Sequence, residues 1–214
     1  WVPTKGLLSK EYAAEIRKLV SDGVAAQKVP AGNPWAYQSG GTSHSSYVDK
    51  DGNMVALTQT INLFFGSGVV IPGYGVMLND EMDDFVPVPG NANSIQPRKK
   101  PLSSMSPSIV LKDGKPWLVT GSPGGPRIIT TVLEQIVNGI DFGMNPAEAA
   151  SQLRFHHQWT PDELRIEKGF STDTIRLLKD KGQNVVIKPT MGRTQTIQVH
   201  GNELWGYSDP RNPD

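Results

Sequence analysis

The sequence contains no cysteine, which excludes disulfides and thiol catalysis. It also carries no net charge, because 21 basic residues balance 21 acidic ones. Bulk electrostatics therefore do not indicate a nucleic-acid partner or an anionic membrane surface. No apolar run is long enough to span a bilayer, and the N-terminal residues show no signal-peptide pattern. With 37% hydrophobic and 20% charged residues, the 214-residue chain has the composition of a protein with a buried core.

The common catalytic and metal-binding patterns are also missing. Among the four histidines, His156 and His157 are adjacent and point in different directions on a regular element, and no carboxylate lies at zinc-motif spacing. We therefore interpret the histidines as structural or surface residues, and we expect no metal and no cofactor. The Gly-x-Ser-x-Gly spacing of a nucleophile elbow is absent, and the glycine-rich segment 121–125 lacks the lysine of a phosphate loop.

An acidic segment, 81–84, leaves two interpretations open. Its carboxylates could form a metal site, but a solvated acidic turn is the favoured reading from the sequence. The residues concerned are Glu81, Asp83 and Asp84.

Thr42 is the remaining candidate for chemistry. It follows Gly40 and Gly41 and leads into a segment with a strand pattern. If the chain were cut before Thr42, this residue would carry a free α-amine beside its own hydroxyl. Such a residue can act as nucleophile and base at once.

The pattern along the chain predicts an α+β fold with a largely antiparallel sheet, because strands are followed by helices and then by strands again. Ser9 is the predicted N-cap of a helix over 9–22, and 24–41 reads as an exposed loop in which cleavage is tolerated. Met54 to Ile61 is nearly continuous and apolar, as in a buried strand. The other predicted strands are 46–48, 69–71, 76–78, 108–111, 117–120, 185–187, 194–199 and 203–205, and the other predicted helices are 127–137, one starting at Pro146 after the Asn145 cap, and 172–181.

Several blocks of the sequence, taken together and in order, resemble the γ-glutamyltranspeptidase family of N-terminal-nucleophile hydrolases. The resemblance covers the end of the family's large subunit (1–41) and nearly all of its small, catalytic subunit (42–214). The matching blocks are Thr42-x-His44 with Asp49 to Asn53, Leu78 to Phe85, Pro101 to Pro107, Gly121 to Arg127, Arg154 to Trp159, and Ser208 to Arg211.

The resemblance implies a four-layer αββα sandwich and a precursor that cuts itself between Gly41 and Thr42. Thr42 would then be the nucleophile, and Thr60 would match the threonine that hydrogen-bonds it. Gly124 and Gly125 would supply the backbone N–H groups of the oxyanion hole. The implied reaction is cleavage of the γ-glutamyl amide bond of glutathione and related donors through a γ-glutamyl-threonine ester, with transfer to an amino acid, a peptide or water.

The resemblance also implies a site for the charged end of the donor. Asn62, Glu81 and Asp84 match residues that hold its ammonium group. Ser103 and Ser104 match residues that hold its carboxylate. The main carboxylate-binding arginine of the family lies in the large subunit, outside this sequence.

Two further expectations follow from the resemblance. The chain would pair with the large subunit of its own precursor in a heterodimer, as part of a longer protein that has no membrane span in this segment. It would be periplasmic or secreted. The alternatives are a related acylase of the same fold, acting on glutaryl-type β-lactam side chains or on poly-γ-glutamate, or an inactive unprocessed precursor fragment.

Overall fold

A computed structural model describes residues 5–6, 9–18, 41–158 and 161–211. The chain divides into two compact units, one comprising 1–41 and 61–83 and the other 42–60 and 84–214. Among the described residues, none of the helices has the length and apolar character needed to cross a membrane.

In the first unit, helix α1 spans Lys10–Arg17. Ser9 caps it, since its hydroxyl accepts a hydrogen bond from the Tyr12 backbone N–H at 3.0 Å. The helix is shorter than the predicted 9–22, because Lys18 already lies in a turn. Most of the predicted loop 24–41 falls outside the described residues. The predicted strands at 69–71 and 76–78 are wrong, because a single antiparallel bridge, Val70 to Met77, joins these segments.

The described residues of the second unit form three sheets. Strands β1 (Thr42–Val48) and β2 (Met54–Thr60) form an antiparallel hairpin. The four-stranded sheet has the order β3-β4-β8-β9, and the three-stranded sheet has the order β5-β6-β7. The strands of these two sheets are β3 (Ser108–Lys112), β4 (Lys115–Thr120), β5 (Phe155–His156), β6 (Leu164–Glu167), β7 (Val185–Lys188), β8 (Gln195–His200) and β9 (Glu203–Ser208). The predicted α+β class with largely antiparallel sheets is confirmed. Among the described strand pairs, only β6 and β7 run parallel.

The α-helices in the described part of this unit are α2 (Ile128–Ile140), α3 (Pro146–Ser151) and α4 (Thr172–Asp180). The predicted Asn145 cap is confirmed, and Glu148 completes a capping box with it. The buried apolar core draws mainly on β4, α2, α3 and β6. Its members are Leu118, Val119, Ile128, Val132, Ala149, Ala150, Leu164, Ile166 and Met191, together with Phe85 from the loop that precedes β3.

Candidate active site

The β1–β2 hairpin brings Thr42 and Thr60 together. They are the first residue of β1 and the last of β2, their Cα atoms are paired in the ladder, and their hydroxyl oxygens lie 2.8 Å apart. The turn sets this register, because Asp49 Oδ1 accepts hydrogen bonds from the backbone N–H groups of Asp51 and Asn53, both at 2.9 Å. Both threonine side chains are half-buried.

Gly41, within the first unit, is tightly enclosed. Its N–H donates to the Asn62 carbonyl at 3.2 Å, and its carbonyl accepts from the Ile61 N–H at 3.4 Å. A Cβ at this position would lie 2.6 Å from the Leu63 carbonyl oxygen and 3.0 Å from Ile61 Cγ1. Since the Gly41 backbone is not in the left-handed region, lack of space rather than backbone conformation requires glycine here.

Gly124 and Gly125 lie between β4 and helix α2. Their φ angles are 144° and 59°, a backbone that favours glycine at both positions. Neither N–H has a hydrogen-bond acceptor in the part of the chain that the structure describes. Consecutive backbone N–H groups just before a helix N-terminus can bind negative charge, and the oxyanion role of Gly124 and Gly125 stays a prediction.

The segment that leads to these glycines, 121–125, is anchored at its start. The Gly121 carbonyl accepts from the Gln195 N–H at 3.0 Å. The Ser122 hydroxyl is fully buried, accepts from the Arg193 N–H at 2.8 Å and donates to the Pro123 carbonyl at 2.7 Å. The start of the loop is therefore fixed by hydrogen bonds to the segment 193–195.

Asn62 and Glu81 are predicted site residues of the first unit. Asn62 has a φ of 67°, and its side-chain amide donates to the Asp80 carbonyl at 3.5 Å. Glu81 begins a 3₁₀ turn (Glu81–Asp84), with its N–H bonded to Asn79 Oδ1 at 3.0 Å. The structure thus brings Asn62 next to the turn that carries Glu81.

Asp80 is a residue of this cluster that the sequence reasoning missed. Its carboxylate accepts from the Leu63 N–H at 3.1 Å, and its own N–H donates to the Ile61 carbonyl at 3.3 Å. Asp80 therefore anchors the segment after β2 on both sides of Asn62.

The remaining predicted residues, Asp84, Ser103 and Ser104, lie in the second unit ahead of β3. The Asp84 carbonyl accepts from the Asn93 side chain at 2.6 Å. The Ser103 hydroxyl accepts from the Met105 N–H at 3.2 Å, and the Ser104 carbonyl accepts from Ser106 at 3.0 Å. These bonds are local, and the ligand-binding roles of the three residues stay predictions.

His44, which belongs to the matching block that starts at Thr42 and was interpreted only as a structural or surface histidine, is buried. It shares the inner face of β1 with Thr42, two residues away. Its Nδ1 pairs with the Thr58 hydroxyl at 2.7 Å and its Nε2 with the Ser46 hydroxyl at 3.1 Å. Desolvation by burial lowers the pKa of His44 to about 4, so the imidazole is neutral near pH 7.

A buried ionic network of Arg154, Glu167, Asp209 and Arg211 was also missed, although two of the matching blocks contain three of its members. Arg154 Nη2 donates to Asp209 Oδ2 at 2.6 Å, and Arg211 Nη2 to Glu167 Oε2 at 3.0 Å. Arg211 also donates to the carbonyls of Ala150 and Gln152. The network ties the end of α3 to the segment after β9.

Comparison with known proteins gives a consistent result. The family model described as gamma-glutamyltranspeptidase matches residues 1–214. The chain is 53% identical over 226 residues to the glutathione hydrolase proenzyme of Escherichia coli (strain K12), covering 100% of this chain and 39% of that protein. It is similar to the crystal structure of Helicobacter pylori gamma-glutamyltranspeptidase, with a TM-score of 0.76 and 50% identity over 79% of this chain and 99% of that one.

A third likeness is to the crystal structure of cephalosporin acylase from Bacillus halodurans. The TM-score is 0.73 at 28% identity, over 99% of this chain and 39% of that one. The chain therefore spans about two fifths of the length of these longer relatives. The likeness to the solved gamma-glutamyltranspeptidase structure confirms the fold class expected from the sequence.

Proposed function

Because the chain belongs to the gamma-glutamyltranspeptidase family, we propose that the complete protein cleaves γ-glutamyl amides such as glutathione and passes the γ-glutamyl group to an amino acid, a peptide or water. The observation that carries this proposal is the 2.8 Å contact between the hydroxyls of Thr42 and Thr60 at paired strand positions. A threonine nucleophile needs a neighbour that fixes its hydroxyl, and Thr60 provides one.

The first step is self-cleavage. The Thr42 hydroxyl attacks the Gly41 carbonyl carbon, the peptide nitrogen leaves as the Thr42 α-amine, and the resulting ester is hydrolysed by water to a Gly41 carboxylate and a free hydroxyl. The Ile61 N–H, 3.4 Å from the Gly41 oxygen, supports this step because negative charge develops on that oxygen. The relatives named as proenzymes agree with such a precursor.

The second step is acyl transfer. A free α-amine has a reference pKa of about 7.7–8.0, so a fair fraction is neutral near pH 7.5 and can take the hydroxyl proton. Thr42 then attacks the γ-carbonyl of the donor, the amine leaves, and a γ-glutamyl ester remains until an acceptor amine or water replaces the threonine oxygen. The amides of Gly124 and Gly125 would stabilise the oxyanion, a contribution of about 100- to 1000-fold for each donor lost.

Donor recognition is assigned to five polar residues. The carboxylates of Glu81 and Asp84 and the carbonyl of Asn62 would accept from the donor ammonium, and the hydroxyls of Ser103 and Ser104 would donate to its carboxylate. Support comes from the bond between Asn62 and the Asp80 carbonyl, which places an amide beside the acidic turn.

The division of the chain follows from the same proposal. Residues 1–41 would be the C-terminal end of a large subunit and 42–214 the small subunit, joined in a heterodimer after cleavage. The 39% share of the Escherichia coli relative supports a partner segment of substantial size. We also propose that the protein is periplasmic or secreted.

A second candidate is an acylase, favoured by the likeness to cephalosporin acylase. A glutaryl donor lacks the α-ammonium group that Glu81 and Asp84 would bind in a γ-glutamyl donor. The two candidates therefore differ in their response to these carboxylates, and parallel assays with γ-glutamyl and glutaryl anilides separate them.

The test uses the full-length precursor with Thr42→Ala and Thr42→Ser. Mass spectrometry should find a chain beginning at Thr42 in the wild type and none in Thr42→Ala. Thr42→Ser retains a hydroxyl and should retain cleavage and γ-glutamyl anilide turnover at reduced rates. Wild-type turnover in Thr42→Ala would end the nucleophile assignment, and a preference of the wild type for the glutaryl anilide would favour the acylase.

A further inference from the structure

The imidazole of His44 lies directly against Gly121, at the start of the loop that ends in Gly124 and Gly125. Any Cβ on Gly121 would collide with the ring, including an approach of 2.7 Å to Nε2. Gly121 is buried and does not have a left-handed backbone, so the ring itself makes glycine necessary there. This contact joins β1, which begins at Thr42, to the loop 121–125.

Hydrogen bonds form a second link between β1 and the loop 121–125, and the donor and acceptor of each bond can be assigned. The Ser46 hydroxyl donates to the Gln195 carbonyl at 2.8 Å, so its oxygen accepts from His44 Nε2–H at 3.1 Å. Because the ring is neutral, Nδ1 is its acceptor, and the Thr58 hydroxyl donates to it at 2.7 Å. The Gln195 N–H then donates to the Gly121 carbonyl at 3.0 Å.

We propose that His44 is a positioning residue that fixes the loop 121–125 relative to the Thr42 hydroxyl, so that the amides of Gly124 and Gly125 meet the oxyanion. The inference rests on the proposed function, because it takes Thr42 as the nucleophile. His44 fits this role through its place in the fold: it is on the same strand face as Thr42, its ring touches Gly121, and both ring nitrogens are held. It does not itself touch the reacting atoms in this assignment.

If His44 has this role, its replacement should slow the chemical step and leave the affinity for substrate unchanged. In the full-length enzyme, His44→Ala should lower kcat for γ-glutamyl anilide by about 10- to 100-fold, short of the loss of a whole oxyanion donor. KM should change by less than about threefold, since interactions made in the transition state are the ones lost. His44→Gln, which can keep one of the two hydrogen bonds, should recover part of kcat. His200→Ala is the matched control, because His200 is exposed and stacks on Trp205 at the far end of β8.

A double-mutant cycle tests the contact itself. Gly121→Ala should lower kcat strongly in the wild-type background, where the new methyl meets the ring. In the His44→Ala background the same change should cost much less, because the space of the ring is empty. Equal costs in the two backgrounds would overturn the proposal, as would wild-type kcat in a folded His44→Ala or Gly121→Ala enzyme.

Two controls keep the outcomes distinct. Each kcat is referred to the concentration of chain beginning at Thr42, so that slow self-cleavage does not count as slow turnover. If His44→Ala does not fold, His44→Ser replaces it in the cycle, because serine also leaves the space of the ring empty. A wild-type enzyme without γ-glutamyl anilide turnover would refute the proposed function, whereas an active wild type with unaffected His44 and Gly121 variants would refute only the positioning role.

Discussion

The buried pair of Arg154 and Asp209 should make stability depend on a single carboxylate. Asp209 has no exposed side-chain surface and Arg154 has 4%. Asp209 Oδ2 accepts from Arg154 Nη2 at 2.6 Å and from the Thr194 N–H at 3.3 Å. Replacement of Asp209 by asparagine keeps the shape but removes the charge. It also brings an amide donor against two guanidinium groups, because Arg211 Nη1 lies 3.3 Å from Oδ1.

The expected loss is large because Arg154 stays buried. Desolvation lowers the pKa of Arg154, and the nearby carboxylate of Asp209 acts against that shift. Breaking a buried pair by removing one partner typically costs about 3–5 kcal/mol. For a domain of this size class, each kcal/mol shifts Tm by roughly 2–4 °C, so Asp209→Asn should lower Tm by roughly 6–20 °C.

The assay is thermal unfolding of the full-length protein at pH 7.5, followed by circular dichroism. Asp173→Asn is the matched control, since Asp173 pairs with Arg176 at 3.5 Å on the surface, with side chains 83% and 65% exposed. Its Tm should equal that of the wild type, as expected for an exposed pair. If Asp209→Asn and Asp173→Asn unfold at the same temperature, the burial argument for this network is wrong.

Three further predictions concern Thr60, Gly41 and Glu134. Thr60→Val removes one hydrogen bond to Thr42 at similar volume and should lower kcat by roughly 2- to 10-fold, measured with γ-glutamyl anilide; an unchanged kcat would remove Thr60 from the mechanism. Gly41→Ala should slow the appearance of the chain beginning at Thr42 in mass spectra, because its Cβ would lie 2.6 Å from the Leu63 oxygen, whereas Gly206→Ala meets only Ile197 Cγ1 at 3.9 Å and should cleave normally. Burial raises the pKa of Glu134 to about 7, so between the unfolded pKa near 4.5 and pH 7 the folded state binds more protons. Wild-type stability, measured by urea unfolding, should therefore fall relative to that of Glu134→Gln as pH rises through this window, and parallel curves would contradict the shift.

The local parts of the site could be predicted from sequence because they depend on short-range patterns. Alternation along 54–60 places Thr58 and Thr60 on one face of β2, and the Asp-Gly-Asn turn limits the hairpin register. The same apolar run was predicted to be a buried strand, and this is wrong for one of its faces. Val55 and Leu57 are 53% and 42% exposed in the described part of the chain, because only one face of this strand is covered.

Short strands escaped prediction for a related reason. Strand β5 has two residues, and β6, Leu164–Glu167, alternates apolar and charged residues over four positions. A pattern of this length does not separate a strand from a loop. Here tertiary pairing decides, since β6 is held between β5 and β7. Glu167, a charged residue in this strand, is buried because Arg211 and the Met191 N–H both bind its carboxylate.

The burial of polar groups marks the limit of the sequence argument. His44 contacts Gly121, and the Ser46 hydroxyl donates a hydrogen bond to the Gln195 carbonyl. Both contacts join segments that are far apart along the chain. Arg154 and Asp209 are 55 positions apart, and composition assigns neither of them to the interior. A charged side chain can be buried without a large loss of stability only when an opposite charge is buried beside it. Its burial is therefore a property of the pair. This explains why the blocks at 154–159 and 208–211 could be matched to a family while their physical role, mutual neutralisation, became visible only once the fold brought Arg154 to Asp209.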